Sequence, residues 1–314
     1  MPSPATSNPG LQGIIIPAAT AFDADERLDL DALASNFDRW RATDVAGYMV
    51  LGTNGEFRSL SDEESRVVVR HATRLKGDKT LVVGVGRESL HHTLEFLASL
   101  HDVLDEVDYI SVLTPGYFAK LMDGLALADY YTAVADVSPV PVLVYVAPSY
   151  ANGVLVPPAT LAVLADHPNI AGVKDTSSSS MVGYMLAAGG RDDFAVLAGS
   201  LNTLMTALAF GGRGGVVSAA NYLPQQCAHL VSFYRSGRQD EALAYYGRLQ
   251  RLVQATGAAH GVAGLKACMD ALGFVGGRPR LPVRPLGEAQ RTAISEVFAR
   301  DLEALDVSAP QSPL

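Results

Sequence analysis

Residues 140–176 read VPVLVYVAPSYANGVLVPPATLAVLADHPNIAGVKDT, two apolar runs with a helical segment between them. Val140–Val146 and Ile170–Val173 are the runs, and Pro158–Ala165, opened by proline, carries helical spacing. Two continuous apolar strands joined by a helix form a parallel β-α-β unit, whose sheet needs cover on both faces. Polar residues gather where each run ends: Tyr145 on the first, Lys174, Asp175 and Thr176 on the second.

The same unit recurs in both directions along the chain. Further short apolar runs lie at Gly13–Ile16, Val45–Leu51, Thr80–Val85, Tyr109–Leu113, Phe194–Leu197 and Gly215–Val217, which predicts eight strands. Amphipathic segments separate them, among them Asp29–Trp40, Ser61–Leu75, Leu90–Leu104, Leu125–Val137, Met181–Ala188 and Leu201–Phe210. Eight such units close an α/β fold of the (β/α)8 TIM-barrel type. A doubly wound open sheet is the alternative, but the Gly84–Gly86 turn lacks the third glycine of a dinucleotide site. Additional C-terminal helices are predicted at Gln225–Ser236, Asp240–Ala255, Gly264–Leu272 and Glu288–Leu305. The expected organisation is a disordered N-terminal tail at 1–10, the barrel at 11–223, a helical extension packed on it at 224–306, and a second tail at 307–314.

Composition removes several function classes. With 24 basic against 33 acidic side chains the formal charge is −9, scattered rather than in blocks, so no nucleic-acid partner is expected. Two cysteines, Cys227 and Cys268, make neither a disulfide framework nor a zinc motif, and the histidines form no ligand pattern; no metal and no cofactor are expected. The first basic side chain is Arg27, which argues against a secretory or organelle leader and for a cytoplasmic protein. No apolar stretch approaches the ~20 residues of a membrane helix, so no membrane partner is expected.

In a barrel, chemistry sits where strands end. Lys174, if desolvated there, would lose proton affinity and become the free amine that attacks a carbonyl. A lysine snorkelling to solvent, or ion-paired with Asp175, is the competing reading. Tyr145, one strand earlier, is either a proton shuttle or core packing. Gly52-Thr53-Asn54-Gly55 offers successive N–H groups, a hydroxyl and an amide to a carboxylate, or is an ordinary strand-to-helix turn.

Together these residues resemble the pyruvate-dependent class I aldolase superfamily that includes dihydrodipicolinate synthase and N-acetylneuraminate lyase. Gly52-Thr53-Asn54-Gly55-Glu56 is similar to its Gly-Ser/Thr-Thr/Asn-Gly-Glu motif, Tyr145-x-x-Pro148 to its tyrosine motif, and Gly172-Val173-Lys174-Asp175 to its lysine motif. Within the superfamily the chain most resembles 4-hydroxy-2-oxoglutarate aldolase, through Asn54, Glu56-Phe57, His167-Pro168-Asn169-Ile170, Val196–Ser200 and Gly264-Leu265-Lys266. The resemblance implies an imine on Lys174, a proton relay through Tyr145, and a keto-acid carboxylate held by Thr53, Asn54 and Gly55. It further implies a homotetramer, a dimer of dimers, in which Tyr117 crosses the tight dimer interface to complete a hydroxyl chain with Thr53 and Tyr145.

Departures from the pattern bear on substrate. The synthase carries an arginine after the tyrosine strand, where this chain has Tyr150, which disfavours a second-carboxylate clamp there. Thr176, Gly199, Ser200 and Tyr150, with Asn152, Asn202 and Asn221 nearby, would meet the distal half of the substrate, and Arg58 or Arg213 would add charge if either reached it. The expected reaction is cleavage of 4-hydroxy-2-oxoglutarate to pyruvate and an aldehyde, glyoxylate. A 2-keto-3-deoxy sugar acid aldolase or dehydratase using the same imine is the alternative, and a catalytically silent keto-acid binder is the alternative of another class.

Overall fold

The computed structural model describes residues 11–305, so the expected tails at 1–10 and 307–314 lie outside the described residues. Strands and helices alternate: β1 (Gly13–Pro17), α1 (Leu30–Arg41), β2 (Gly47–Val50), α2 (Asp62–Leu75), β3 (Thr80–Gly84), α3 (Leu90–Ala98), β4 (Tyr109–Leu113) and α4 (Gly124–Val137). There follow β5 (Val142–Val146), α5 (Pro158–Ala165), β6 (Ile170–Asp175), α6 (Met181–Ala188), β7 (Ala195–Ala198), α7 (Leu201–Ala209) and β8 (Gly214–Val216). Four more helices complete the described chain: α8 (Pro224–Arg235), α9 (Gln239–Ala255), α10 (Gly261–Ala271) and α11 (Glu288–Asp301). The strands join in sequence order as a closed barrel, and the pairs from β3 to β8 are parallel. This is the (β/α)8 fold with added C-terminal helices.

The strands are buried along their length, as continuous apolar runs require; every residue of β4, β5 and β6 is buried. Helix starts follow local chemistry. Asp29, Ser89 and Asp123 cap α1, α3 and α4 by accepting from the first-turn N–H groups, and Ser61 with Glu64 forms a reciprocal capping box on α2. Proline opens α5 and α8. One expectation fails here: α3 stops at Ala98 rather than running to Leu104, because the Ser99 hydroxyl donates to the Phe96 carbonyl at 2.7 Å and the chain leaves the helix.

By contact density the chain divides into two compact units. One holds Ala46–Met49 and Thr80–Val216, and contains β3 to β8 with α3 to α7. In it, register pairs Leu113 with Tyr145, Tyr145 with Lys174, and Lys174 with Leu197. Alternation along each strand therefore puts these four side chains in one row on one face. Gly172, two residues before Lys174, lies so close to β7 that a Cβ there would stand 2.2 Å from the Ala195 carbonyl oxygen.

The other unit holds Ile14–Val45, Val50–Lys79 and the chain from Val217 onward. Its core includes Trp40, the single tryptophan, wholly buried, whose Nε1 donates to the Asn221 carbonyl at 2.9 Å. The indole meets Phe37 edge-on at 5.4 Å and stacks on Phe274 at 6.1 Å. Cys227 and Cys268 are free, buried thiols, pushed by burial up to about 12 and about 11. Among the described residues no helix is long and apolar enough to cross a membrane.

Candidate active site

Lys174 is the penultimate residue of β6 and is 3% exposed. Its Nζ lies 3.5 Å from the Met49 sulfur and 3.8 Å above the centre of the Tyr145 ring. A thioether and an aromatic face replace the water that an ammonium needs, and burial lowers the lysine pKa from 10.5 to about 7. The alternative of an ion pair with Asp175 is not realised. Consecutive strand residues face opposite ways, and the Asp175 carboxylate accepts instead from the Ser177 N–H at 2.8 Å and hydroxyl at 3.0 Å. Burial pushes Asp175 up to about 6. The snorkelling alternative fails on the same burial.

The turn after β2 belongs to the other unit. Leu51 and Glu56 bracket it in left-handed backbone, with φ of 57° and 52°. The N–H groups of Gly55 and Glu56 donate to the turn's own carbonyls, at Gly52 (3.1 Å) and Thr53 (3.0 Å). Gly55 thus shapes the turn, its N–H held by the Gly52 carbonyl. Its carbonyl accepts from the Thr20 hydroxyl at 2.8 Å, and a Cβ at 55 would stand 3.1 Å from the Ala18 carbonyl oxygen. Asn54 Nδ2 donates to the Ser218 hydroxyl at 2.8 Å, which orients the amide.

The other expected residues fall at strand ends as well. Thr176 follows β6, and its hydroxyl donates to the Val146 carbonyl at 3.2 Å. Gly199 follows β7; its N–H is spent on the Asp175 carbonyl at 2.6 Å, and a Cβ on it would meet Thr176 Cγ2 at 2.4 Å. The Ser200 and Thr203 hydroxyls lie 3.1 Å apart. Tyr117, after β4, is 75% exposed and packs edge-on against Phe118 at 4.9 Å. Its loop is held by Glu88, which accepts from the N–H groups of Gly116 (2.9 Å) and Tyr117 (2.8 Å). Tyr150 is exposed in the 3-10 turn Pro148–Tyr150, and Asn152 Nδ2 donates to the Gly116 carbonyl at 3.0 Å.

Two residues considered near the distal substrate are committed elsewhere. Asn221 is wholly buried and accepts from Ala19 N–H while donating to the carbonyls of Pro17 and Ser218, so its amide is a clip between loops. Arg213 precedes β8, at the opposite end of the strand from the expected chemistry, and donates to the Asp192 carbonyl at 2.5 Å. Sequence reading missed Met49, Glu88 and Ser218. None carries a motif, and each matters only through what folding brings beside it. Among the described residues no group of three or more His, Cys, Asp or Glu side chains could hold a metal ion.

Comparison with known proteins bears on this geometry. A profile of the dihydrodipicolinate synthetase family matches residues 10–300. The chain is 28% identical over 302 residues, 95% of its length and 97% of the relative's, to a protein of Emericella nidulans named a probable mitochondrial 4-hydroxy-2-oxoglutarate aldolase. It is 34% identical over 300 residues, 95% of its length and 97% of the relative's, to an uncharacterised DapA-like lyase of Halobacterium salinarum. Among solved structures, YagE, a prophage protein of the same family from E. coli K12 determined in complex with pyruvate, superimposes with a TM-score of 0.83 at 28% identity, covering 92% of this chain and 98% of that one.

Proposed function

The chain belongs to the dihydrodipicolinate synthetase family, a family of lyase and aldolase enzymes, and we propose that it is a Schiff-base-forming aldolase that cleaves 4-hydroxy-2-oxoglutarate to pyruvate and glyoxylate. The observation that carries this reading is Lys174: a buried amine, poised near neutrality, against the ring of Tyr145. Plain keto-acid binding has no use for such an amine.

In the proposed cycle the neutral amine attacks the C2 ketone, and uptake of one proton with loss of water gives a protonated imine, the proton being returned when the imine is hydrolysed at the end. A base at the Tyr145 hydroxyl takes the C4 hydroxyl proton, the C3–C4 bond breaks, and its electron pair enters the imine as an enamine. The aldehyde leaves, C3 is protonated, and water releases pyruvate and regenerates the amine. Thr53 and Asn54 are assigned the keto-acid carboxylate, and Thr176, Gly199, Ser200 and Tyr150 the distal half. Tyr117 is assigned to the relay of a neighbouring subunit, in a dimer of dimers; its exposure, with that of Phe118, Leu121 and Leu125, supports a role outside its own fold.

The name of the Emericella relative supports the substrate, and the absence of arginine from residues 147–153 argues against the synthase reaction. The uncharged Tyr150, Asn152 and Ser200 favour a second reading, a 2-keto-3-deoxy sugar acid aldolase or dehydratase. Mixing the protein with pyruvate and borohydride, then mapping the adduct by mass, tests the chemistry. Reduction onto Lys174, absent in Lys174→Ala, is the expected result, and release of pyruvate from each candidate acid then ranks the substrates. A folded protein that gives no adduct overturns the imine mechanism and supports a silent binder.

A further inference from the structure

A second buried lysine stands outside this chemistry. Lys266 of α10 is 1% exposed, and its Nζ lies 2.6 Å from Glu56 Oε1, 2.8 Å from the Arg278 carbonyl and 4.6 Å above the Phe22 ring. Glu56 is the residue that leaves the Thr53–Asn54 turn in left-handed backbone. Its second oxygen accepts from the Arg280 N–H at 3.0 Å. The Arg280 guanidinium in turn donates to Ser59 O at 2.7 Å and to the Glu64 carboxylate, so the segment following the turn is held from two directions.

We propose that the buried Glu56–Lys266 pair, braced by Arg280, is the positioning device of the carboxylate-binding turn. The inference rests on the proposed function only in taking a keto-acid carboxylate as that turn's ligand. A hydroxyl and an amide recognise a carboxylate only if the backbone holds them to within about half an ångström. Left-handed backbone at a non-glycine residue is disfavoured unless its surroundings over-determine it, and an ion pair taken wholly out of water does so, because separating the two charges would leave each buried without its counter-charge. Burial lowers the Lys266 pKa, and the Glu56 carboxylate opposes that lowering, whereas no carboxylate opposes it at Lys174.

The test compares trapping by borohydride with pyruvate and with methyl pyruvate, which has the same ketone but no charge. Glu56→Gln is expected to raise the pyruvate concentration for half-maximal trapping, and KM for the substrate, by at least about tenfold, with kcat and methyl pyruvate trapping changed less than about twofold. Glu56→Gln combined with Lys266→Met, which removes both charges and avoids an orphaned ammonium, is expected to show the same selective loss should the single variant fold poorly. Equal loss with both ketones, or no loss with either, overturns the positioning role. In a Lys174→Met background, unable to form an imine, calorimetric binding of pyruvate must weaken on adding Glu56→Gln, and no weakening, or no binding in that background, overturns the proposal. Wild-type trapping separately reports on the imine chemistry, so the two readings fail in different experiments.

Discussion

Replacing Lys174 by methionine is expected to stabilise the protein while abolishing its chemistry. The native amine binds its proton near pH 7, an ordinary lysine near 10.5. At about 1.4 kcal/mol per tenfold in proton affinity, the difference is worth about 5 kcal/mol. The sign follows from which state holds more protons. Between pH 7 and 10.5 the unfolded lysine is charged and the native one is not, so stability rises with pH across this window; below 7 both are charged and the full burden falls on the native state. Methionine has a similar length, no charge, and suits a site already formed by Met49 and an aromatic ring. Lys174→Met should therefore gain about 3–5 kcal/mol at pH 6, with the gain shrinking as pH rises from 7 towards 10.5. Urea unfolding of both proteins at pH 6, 7.5 and 9 reads this directly, since all other titrating groups are shared. Parallel stability curves, or a less stable variant at pH 6, would refute a desolvated lysine.

Four further expectations concern the proposed site. Tyr145→Phe keeps the ring beneath the amine, so imine trapping should persist while turnover falls by about 10²- to 10⁴-fold; loss of trapping would instead assign the hydroxyl to imine formation. Tyr117→Phe should slow turnover with stability changed by less than about 0.5 kcal/mol, and wild-type turnover would remove this residue from the relay. Gly199→Ala drives a methyl into Thr176 and the Asp175 carbonyl and should cost about 1–3 kcal/mol, read as a lower urea midpoint; no change would mean the loops yield freely. The rate of imine trapping should fall about tenfold per pH unit well below 7, as the amine becomes an ammonium, and a flat profile down to pH 5 would contradict the lowered pKa.

The barrel was legible because its strands are buried on both faces, so apolar runs such as Val142–Val146 need no alternation, and because helices α2 and α4 begin at chemically marked caps. Lys174 and Tyr145 were legible as polar residues at the ends of such runs. The absence of a Lys174–Asp175 pair was also within reach, since neighbours on a strand diverge. What was hidden depends on distant chain segments. No spacing rule connects Glu56 to Lys266, or Asn54 to Ser218, and the commitment of Asn221 to Pro17 and Ala19 is visible only once β1 and the segment after β8 are neighbours. Nor does a Gly-Thr-Asn-Gly string reveal which of its N–H groups a turn will consume internally.

Trp40, alone of its kind and wholly buried against Phe37 and Phe274, gives the molecule a built-in fluorophore confined to one of its two compact units. Excited selectively, its blue-shifted emission follows the disassembly of that unit and is blind to the local packing of Lys174, whose unit contains no indole. Far-ultraviolet dichroism samples every helix. Superimposable denaturation curves from the two signals would therefore establish a single cooperative body, whereas an emission change at a different urea concentration would reveal a half-folded species.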